Sequence, residues 1–224
     1  MKLRKEALLD LLWPRVCGVC EAPIGEPGRL AVCAACEGRL EWVEPPFCAR
    51  CGAGRKGRAC LECEGKEILF AGATALGRYE GKFRETVLRL KFRGARHLAE
   101  ELGRRLAARI ERKFDCVTPV PMSLLKSLVR GYNAAELLAE RVARHSGNPF
   151  RAGLLRKVRR TRPQADLPVA ERLVNPRGAY RSRPVRGVVL LVDDVLTTGA
   201  TANACAEALR AAGAAEVHLA VAAR

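Results

Sequence analysis

The chain has 224 residues, of which 49% are hydrophobic and 5% aromatic, and its formal net charge is +16. This size accommodates one medium-sized domain and one small one. Because no apolar stretch reaches 18 residues and charges interrupt residues 3–13, the sequence excludes a transmembrane helix and an uninterrupted signal-peptide core, and we expect a cytoplasmic protein.

The first predicted elements are a short amphipathic helix over residues 3–13 and a cysteine-rich segment. Eight of the ten cysteines form four Cys-x-x-Cys pairs: Cys17/Cys20, Cys33/Cys36, Cys48/Cys51 and Cys60/Cys63. Two such pairs supply four thiolates to one tetrahedral ion, so we predict two structural Zn²⁺ sites. Consecutive pairing gives two adjacent zinc ribbons, while interleaved pairing stays open. Residues 1–70 hold 11 basic and 10 acidic residues, which favours a structural role over DNA binding.

After Gly65 the pattern changes to alternating strands and helices. We predict strands at 73–79, 116–120, 154–157, 179–181, 188–192 and 217–222, and helices at 82–92, 97–113, 133–144 and from about 200 to 213. Such alternation is typical of an α/β fold with a mainly parallel sheet flanked by helices. The expected domains are 1–68, the N-terminal helix and double zinc ribbon, and 69–224. Cys116 and Cys205 are expected in the core.

Positive charge is concentrated in the second domain. Residues 71–224 hold 29 basic and 14 acidic residues, and residues 151–186 hold 11 basic and two acidic ones. This density predicts attraction to polyphosphates or to a nucleic acid backbone. Whether the 151–186 segment binds DNA or only a pyrophosphate group stays open.

The most informative motif follows the strand predicted at 188–192. Two acids, Asp193 and Asp194, come at its carboxyl end, where open α/β sheets place their ligands. A small polar loop then leads into a helix through Thr197, Thr198, Gly199, Ala200 and Thr201. Amides at a helix start bind phosphate, whereas paired carboxylates suit hydroxyl groups or a divalent cation. The motif therefore predicts a ligand with a phosphate at one end and a diol or metal at the other.

This run resembles the phosphoribosyl pyrophosphate (PRPP) signature of type I phosphoribosyltransferases. The resemblance implies that Asp193 and Asp194 are catalytic and hold the ribose hydroxyls, that residues 197–201 wrap the 5′-phosphate, and that Mg²⁺ accompanies PRPP. It also implies that the pyrophosphate is bound by Val120, Pro121, Met122, Ser123 and Arg130. With the cysteine pairs, the motifs at 79–81, 91–94 and 130–133 and the basic loop at 156–164, the whole chain is similar to the ComF/ComFC family. Its members are associated with natural competence and the uptake of DNA.

The resemblance leaves the chemistry open. One hypothesis is phosphoribosyl transfer to an unknown acceptor; the alternative is a non-catalytic single-stranded DNA-binding protein that retains the fold. A competence helicase and DNA-processing proteins are candidate partners. Because the sequence ends directly after the last predicted strand, we expect no C-terminal hood over the acceptor. The zinc-binding segment is then the remaining segment large enough to contact it.

Overall fold

A computed structural model describes residues 16–24, 32–55, 57, 59–159 and 176–224 of the chain. Within these ranges the strands are β1 (Gly72–Gly77), β2 (Cys116–Pro119), β3 (Leu155–Lys157), β4 (Tyr180–Ser182), β5 (Val188–Val195) and β6 (Glu216–Ala223). The helices are α1 (Ala34–Glu37), α2 (Gly81–Phe92), α3 (Leu98–Ala108), α4 (Leu124–Arg130), α5 (Ala134–Ser146) and α6 (Ala200–Ala211). None of the helices in these ranges is long and apolar enough to cross a lipid bilayer.

A four-stranded parallel sheet organises the larger domain, in the order β1-β6-β5-β2. β5 and β6 occupy its centre, and their nearly continuous apolar sequences suit strands covered on both faces. β3 and β4 form a separate antiparallel pair. The predicted fold class, a mainly parallel sheet flanked by helices, is confirmed.

Two hydrophobic layers cover the faces of the sheet. On one face α2, α3 and α5 contribute buried side chains such as Phe83, Leu102 and Leu138. On the other face α6 packs with the β3–β4 pair, through residues that include Leu209 and Tyr180. Cys116 and Cys205 are buried in this second layer, as expected for packing residues.

Several boundaries differ from the sequence-based prediction. The helix expected at 97–113 ends at Ala108, and the Arg109 guanidinium beyond it donates to the carbonyls of Ala75 and Val43. β5 runs to Val195 because its pairing with β6 continues to Ala223. α4 was not predicted; it ends at Arg130, and the next residue, Gly131, has a φ of 71°, a left-handed conformation that commonly follows a helix. The helix predicted at 3–13 and the basic residues 160–175 lie outside the described residues.

The zinc-binding segment is joined to the edge of the sheet. Trp42 pairs with Gly77 in an antiparallel bridge, and the Val43 amide donates to the Leu76 carbonyl at 2.8 Å. Gly52 approaches β1 so closely that a Cβ atom there would lie 2.9 Å from the Ala75 nitrogen. The segment thus covers the otherwise open edge strand of the sheet.

Candidate functional site

Each group of four cysteines converges on one point. Cys17, Cys20, Cys33 and Cys36 form one cluster, and Cys48, Cys51, Cys60 and Cys63 form the other, with all sulfur atoms of a cluster within 4.8 Å of one another. Four thiolates about 2.3 Å from a tetrahedral Zn²⁺ ion would be about 3.8 Å apart. The Cys20–Cys33 and Cys48–Cys63 Sγ distances are both 3.8 Å. The clusters fit zinc, and they show the consecutive pairing.

Backbone amides orient the thiolates. The amides of Val19 and Cys33 donate to the Cys17 sulfur at 3.4 and 3.3 Å. Burial raises the pKa of Cys17, but these hydrogen bonds outweigh it and lower the value to about 7. A thiol with a lowered pKa is more readily ionised, and the thiolate is the form that binds metal.

The acid pair lies within β5 rather than after it. Asp193 is opposite Val221 of β6, and its Oδ1 accepts a 2.9 Å hydrogen bond from the Asp194 amide. Burial, together with the neighbouring charge of Asp194, raises the pKa of Asp193 to about 8. Two adjacent carboxyl groups, one buried and one half-buried, favour a ligand that brings hydroxyl donors or positive charge.

Lys91 of α2 is the cation that balances this pair. Its Nζ lies 2.8 Å from Asp194 Oδ1, with only 20% of the lysine side chain and 12% of the aspartate side chain exposed. Burial lowers the pKa of Lys91, but the charges of Asp194 and Asp193 outweigh it, so the pKa lies above its usual value. Residues 91–94 belong to the motifs that carry the family resemblance, but the sequence by itself indicates no role for Lys91.

The loop after β5 forms a small cavity at the start of α6. Gly199 has a φ of 82°, a left-handed conformation that favours glycine, and precedes the first helical residue, Ala200. Residues 197–201 and Asp193 line a cavity of about 50 Å³. This exceeds the ~15 Å³ that one water molecule needs. The backbone amides of the first turn and the dipole of this 12-residue helix suit an anion at this point.

The segment implied to contact pyrophosphate lies at the same edge of the sheet. The Val120 amide donates to the Val192 carbonyl at 2.8 Å, which places residues 120–123 beside the acid pair. Arg130 reaches back from the end of α4: its Nη1 lies 3.7 Å from Met122 Sδ, and its guanidinium lies 4.2 Å from the centre of the Phe92 ring. The structure therefore brings all the sequence-predicted ligand-contacting residues to one edge, whereas residues 160–164 of the predicted basic loop lie outside the described ranges.

Both parts of the chain match known protein families. Residues 8–65 match the double zinc ribbon domain, and residues 128–224 match the phosphoribosyl transferase domain.

Curated relatives extend over most of the chain. Competence protein F of Haemophilus influenzae is 28% identical over 84% of this chain and 88% of its own length. DNA utilization protein YhgH of Escherichia coli K12 is 27% identical over 92% of this chain and 95% of its own length. Competence protein ComFC of Bacillus subtilis is 26% identical over 80% of this chain and 77% of its own length.

Among solved structures, the glutamine PRPP amidotransferase from B. subtilis complexed with ADP and GMP is 23% identical, with a TM-score of 0.41. The chain covers 30% of that structure's length, and 60% of this chain is matched. A second structure, an allosteric regulatory enzyme of purine biosynthesis, has a TM-score of 0.42 and the same coverage. These low TM-scores carry no weight for function.

Proposed function

Because the chain belongs to the ComF/ComFC family, with a double zinc ribbon and a phosphoribosyl transferase domain, we propose that it binds Mg²⁺–PRPP at the carboxyl edge of the sheet. The observation that supports this most is the acid pair of half-buried Asp193 and buried Asp194, shortly before a glycine-containing helix start. Carboxylates accept hydrogen bonds from a ribose diol, and the amides of residues 197–201 donate to a 5′-phosphate.

The same residues suit stabilisation of a cation-like ribosyl transition state. When the bond from C1 to pyrophosphate breaks, both electrons leave with the pyrophosphate and positive charge develops on the ribose ring. Asp194 would offset that charge, and Asp193 would add to it once bound Mg²⁺ or the developing positive charge lowers its raised pKa and it releases its proton. Arg130 and the backbone of residues 120–123 would receive the leaving pyrophosphate.

A divalent cation fits this donor set. Mg²⁺ prefers one or two carboxylates together with substrate phosphate oxygens, and the acid pair lies beside the segment proposed for pyrophosphate. When bound, Mg²⁺ neutralises charge on the phosphate oxygens. Lys91 already balances Asp194, so binding of a second cation there requires the ligand's own negative charge nearby.

The test is calorimetric titration of the zinc-loaded protein with Mg²⁺–PRPP. We expect saturable binding by the wild type and at least a hundredfold weaker binding by the Asp193→Asn/Asp194→Asn double variant at unchanged zinc content. Glu216→Gln makes the same carboxylate-to-amide change at the opposite end of the sheet and should retain wild-type affinity. Equal affinity in the wild type and the double variant would refute the proposal.

A second candidate function is binding of single-stranded DNA in competence, alone or with competence and DNA-processing partners. It is favoured by a cluster of cation–aromatic contacts beside residues 120–123: Arg130 stacks on Phe92, and Arg96 stacks 4.5 Å from the centre of Tyr132. Phe92 is 58% exposed and available for base stacking.

This second candidate is tested by titrating short single-stranded DNA across a salt series, with and without Mg²⁺–PRPP. DNA binding that weakens steeply with salt, and weakens at least fivefold in Phe92→Ala, supports it. Absence of DNA binding at low salt excludes it.

A further inference from the structure

Helix α2, which carries Lys91, shares a hydrophobic layer with the first zinc ribbon. This ribbon comprises the described residues around the first cysteine cluster, Cys17, Cys20, Cys33 and Cys36. Its Val19 is 2% exposed and belongs to the same layer as Val87 and Leu90 of α2, which are fully buried. The ribbon and the helix are therefore packed in one core.

Arg89 of α2 binds the metal-binding turn of this ribbon directly. Gly18 and Val19 are the two residues between the first pair of cysteines, and both of their carbonyl oxygens accept hydrogen bonds from Arg89 Nη1, at 3.2 Å for Gly18. Arg89 Nη2 pairs with Glu21, just after the turn. The Arg89 side chain is only 7% exposed, and a buried charge is costly unless it is paired and hydrogen-bonded. Because zinc fixes the shape of the turn, the acceptors of Arg89 depend on the metal.

Gly18 allows the turn to approach the helices closely. A Cβ atom at this position would lie 2.3 Å from Leu98 Cδ2 and 3.0 Å from His97 Nε2. Leu98 is the first residue of α3 and is fully buried. The turn thus fits between Arg89 and the start of α3 only because residue 18 has no side chain.

Arg89 and Lys91 project from opposite sides of α2. Each residue turns an α-helix by about 100°, so side chains two residues apart point about 200° apart. On one side Arg89 contacts the ribbon, and on the other Lys91 Nζ lies 2.8 Å from Asp194 Oδ1. A displacement of this helical turn at the ribbon therefore moves Lys91 relative to Asp194.

The position of Lys91 matters for a ligand that carries several negative charges. PRPP has phosphate groups at both ends, and a carboxylate beside them repels them unless its charge is balanced. Burial, together with the charge of Asp194, raises the pKa of Asp193 to about 8, so at neutral pH Lys91 leaves the acid pair close to neutral. With Lys91 displaced, the charge of Asp194 is uncompensated.

We propose that Arg89 is a positioning residue of the phosphoribosyl site: it transmits the zinc-bound shape of the first ribbon to Lys91, so that zinc in the first site strengthens binding of Mg²⁺–PRPP. The inference rests on the proposed function and goes beyond it. Because coupling between two binding equilibria is reciprocal, Mg²⁺–PRPP must strengthen zinc binding in the first site by the same factor. The second zinc site, over residues 48–63, contacts β1 through Gly52 instead and should respond little.

The first test compares the affinities of zinc-loaded variants for Mg²⁺–PRPP by calorimetry, at two zinc ions per chain. Arg89→Met should weaken binding at least tenfold, and Arg89→Lys, which keeps the charge, should recover part of the loss. In a Lys91→Met background, Arg89→Met should change the affinity by less than twofold, because its effect passes through Lys91. Arg109→Met is the matched control: Arg109 also donates to a carbonyl of the zinc-binding segment, that of Val43 at 3.2 Å, but it lies outside α2. Its affinity should stay within twofold of the wild type.

The second test uses the unaltered chain. A chromogenic chelator competes for zinc at equilibrium, in excess Mg²⁺, with and without saturating PRPP. We expect one of the two zinc ions to bind at least fivefold more tightly when PRPP is present. Alkylation of the cysteines that lose zinc, mapped by mass spectrometry, should place the tighter ion in the first site.

Three results would each overturn the inference while Mg²⁺–PRPP still binds: wild-type affinity in Arg89→Met, losses from Arg89→Met and Lys91→Met that simply add, or a zinc affinity of the first site that PRPP leaves unchanged. If the wild type does not bind Mg²⁺–PRPP at all, it is the proposed function that fails.

Discussion

Lys91 and Asp194 form an ion pair that links the C-terminal part of α2 to the acid pair of β5. Their charged atoms are 2.8 Å apart and both side chains are largely buried. Removing the cation from such a pair leaves an uncompensated buried charge. Substitution of Lys91 therefore tests how strongly this ion pair stabilises the acid pair.

We expect Lys91→Met to lower the free energy of unfolding by about 3 kcal/mol at pH 8. The loss should be smaller near pH 5, because a proton on one carboxylate can replace the missing positive charge. Urea denaturation at the two pH values measures both effects. Lys82→Met is a matched control on the same helix, since Lys82 pairs with Glu85 at 2.7 Å but on the surface, and it should change stability little. Similar losses for the two variants would contradict the prediction.

The raised pKa of Asp193 predicts a pH dependence of stability. The native carboxyl group has a pKa of about 8, against an ordinary value of 3.8. Between about pH 4 and pH 8 the native state therefore binds more protons than the unfolded chain, and the free energy of unfolding falls as the pH rises. Asp193→Asn should flatten this fall, so the variant gains stability relative to the wild type at pH 8 more than at pH 5. Because the zinc thiolates titrate alike in both proteins, the difference between their denaturation midpoints isolates Asp193; parallel curves would contradict the assignment.

Glu41 of the zinc-binding segment caps helix α2 of the other domain. Its carboxylate oxygens accept hydrogen bonds from the amides of Lys82 at 3.2 Å and Phe83 at 2.8 Å. Burial raises the pKa of Glu41, but these hydrogen bonds outweigh it and hold the value below its usual range. We expect Glu41→Ala to cost about 1 kcal/mol of stability, as loss of a helix cap does. Thermal unfolding measures this, and Glu207→Ala, at an exposed position of α6, should be nearly neutral.

Removal of zinc should weaken contacts of the second domain as well as unfold the zinc ribbons. Structural zinc sites supply much of the folding energy of small cysteine-rich segments. Once the ribbons unfold, Val43 no longer pairs with Leu76 and Glu41 no longer caps α2. After treatment with a strong chelator, we expect at least tenfold faster hydrogen exchange at the amides of Lys82 and Phe83, while the amide of Leu190 in central β5 stays protected. Unchanged exchange at Lys82 and Phe83 would show that the domains are independent.

Local sequence patterns predicted the central strands well because their residues are almost all apolar. Their ends depended on pairing: β5 continues through the acid pair to Val195 only because β6 lies alongside it. Residues 124–130 carry too weak a periodicity for prediction, and the left-handed conformation of Gly131 follows the end of their helix.

The candidate site likewise contains residues that the sequence indicates and one that it does not. The acids and the loop at 197–201 are adjacent in sequence, so a local motif indicates them. Lys91 lies about a hundred residues away from Asp194, and its role comes from the packing of α2 over the sheet, which periodicity alone does not specify.

The position of β6 in the sheet has a consequence for how the polypeptide reaches its native state. β1 precedes every other strand in the chain, yet its partner within the sheet is β6, which follows every other described element. During translation β1 therefore cannot pair with β6 until residues 216–223 have left the ribosome. A nascent chain that stalls before these residues lacks β6, a central strand, so β1 has no partner that joins it to β5 and β2.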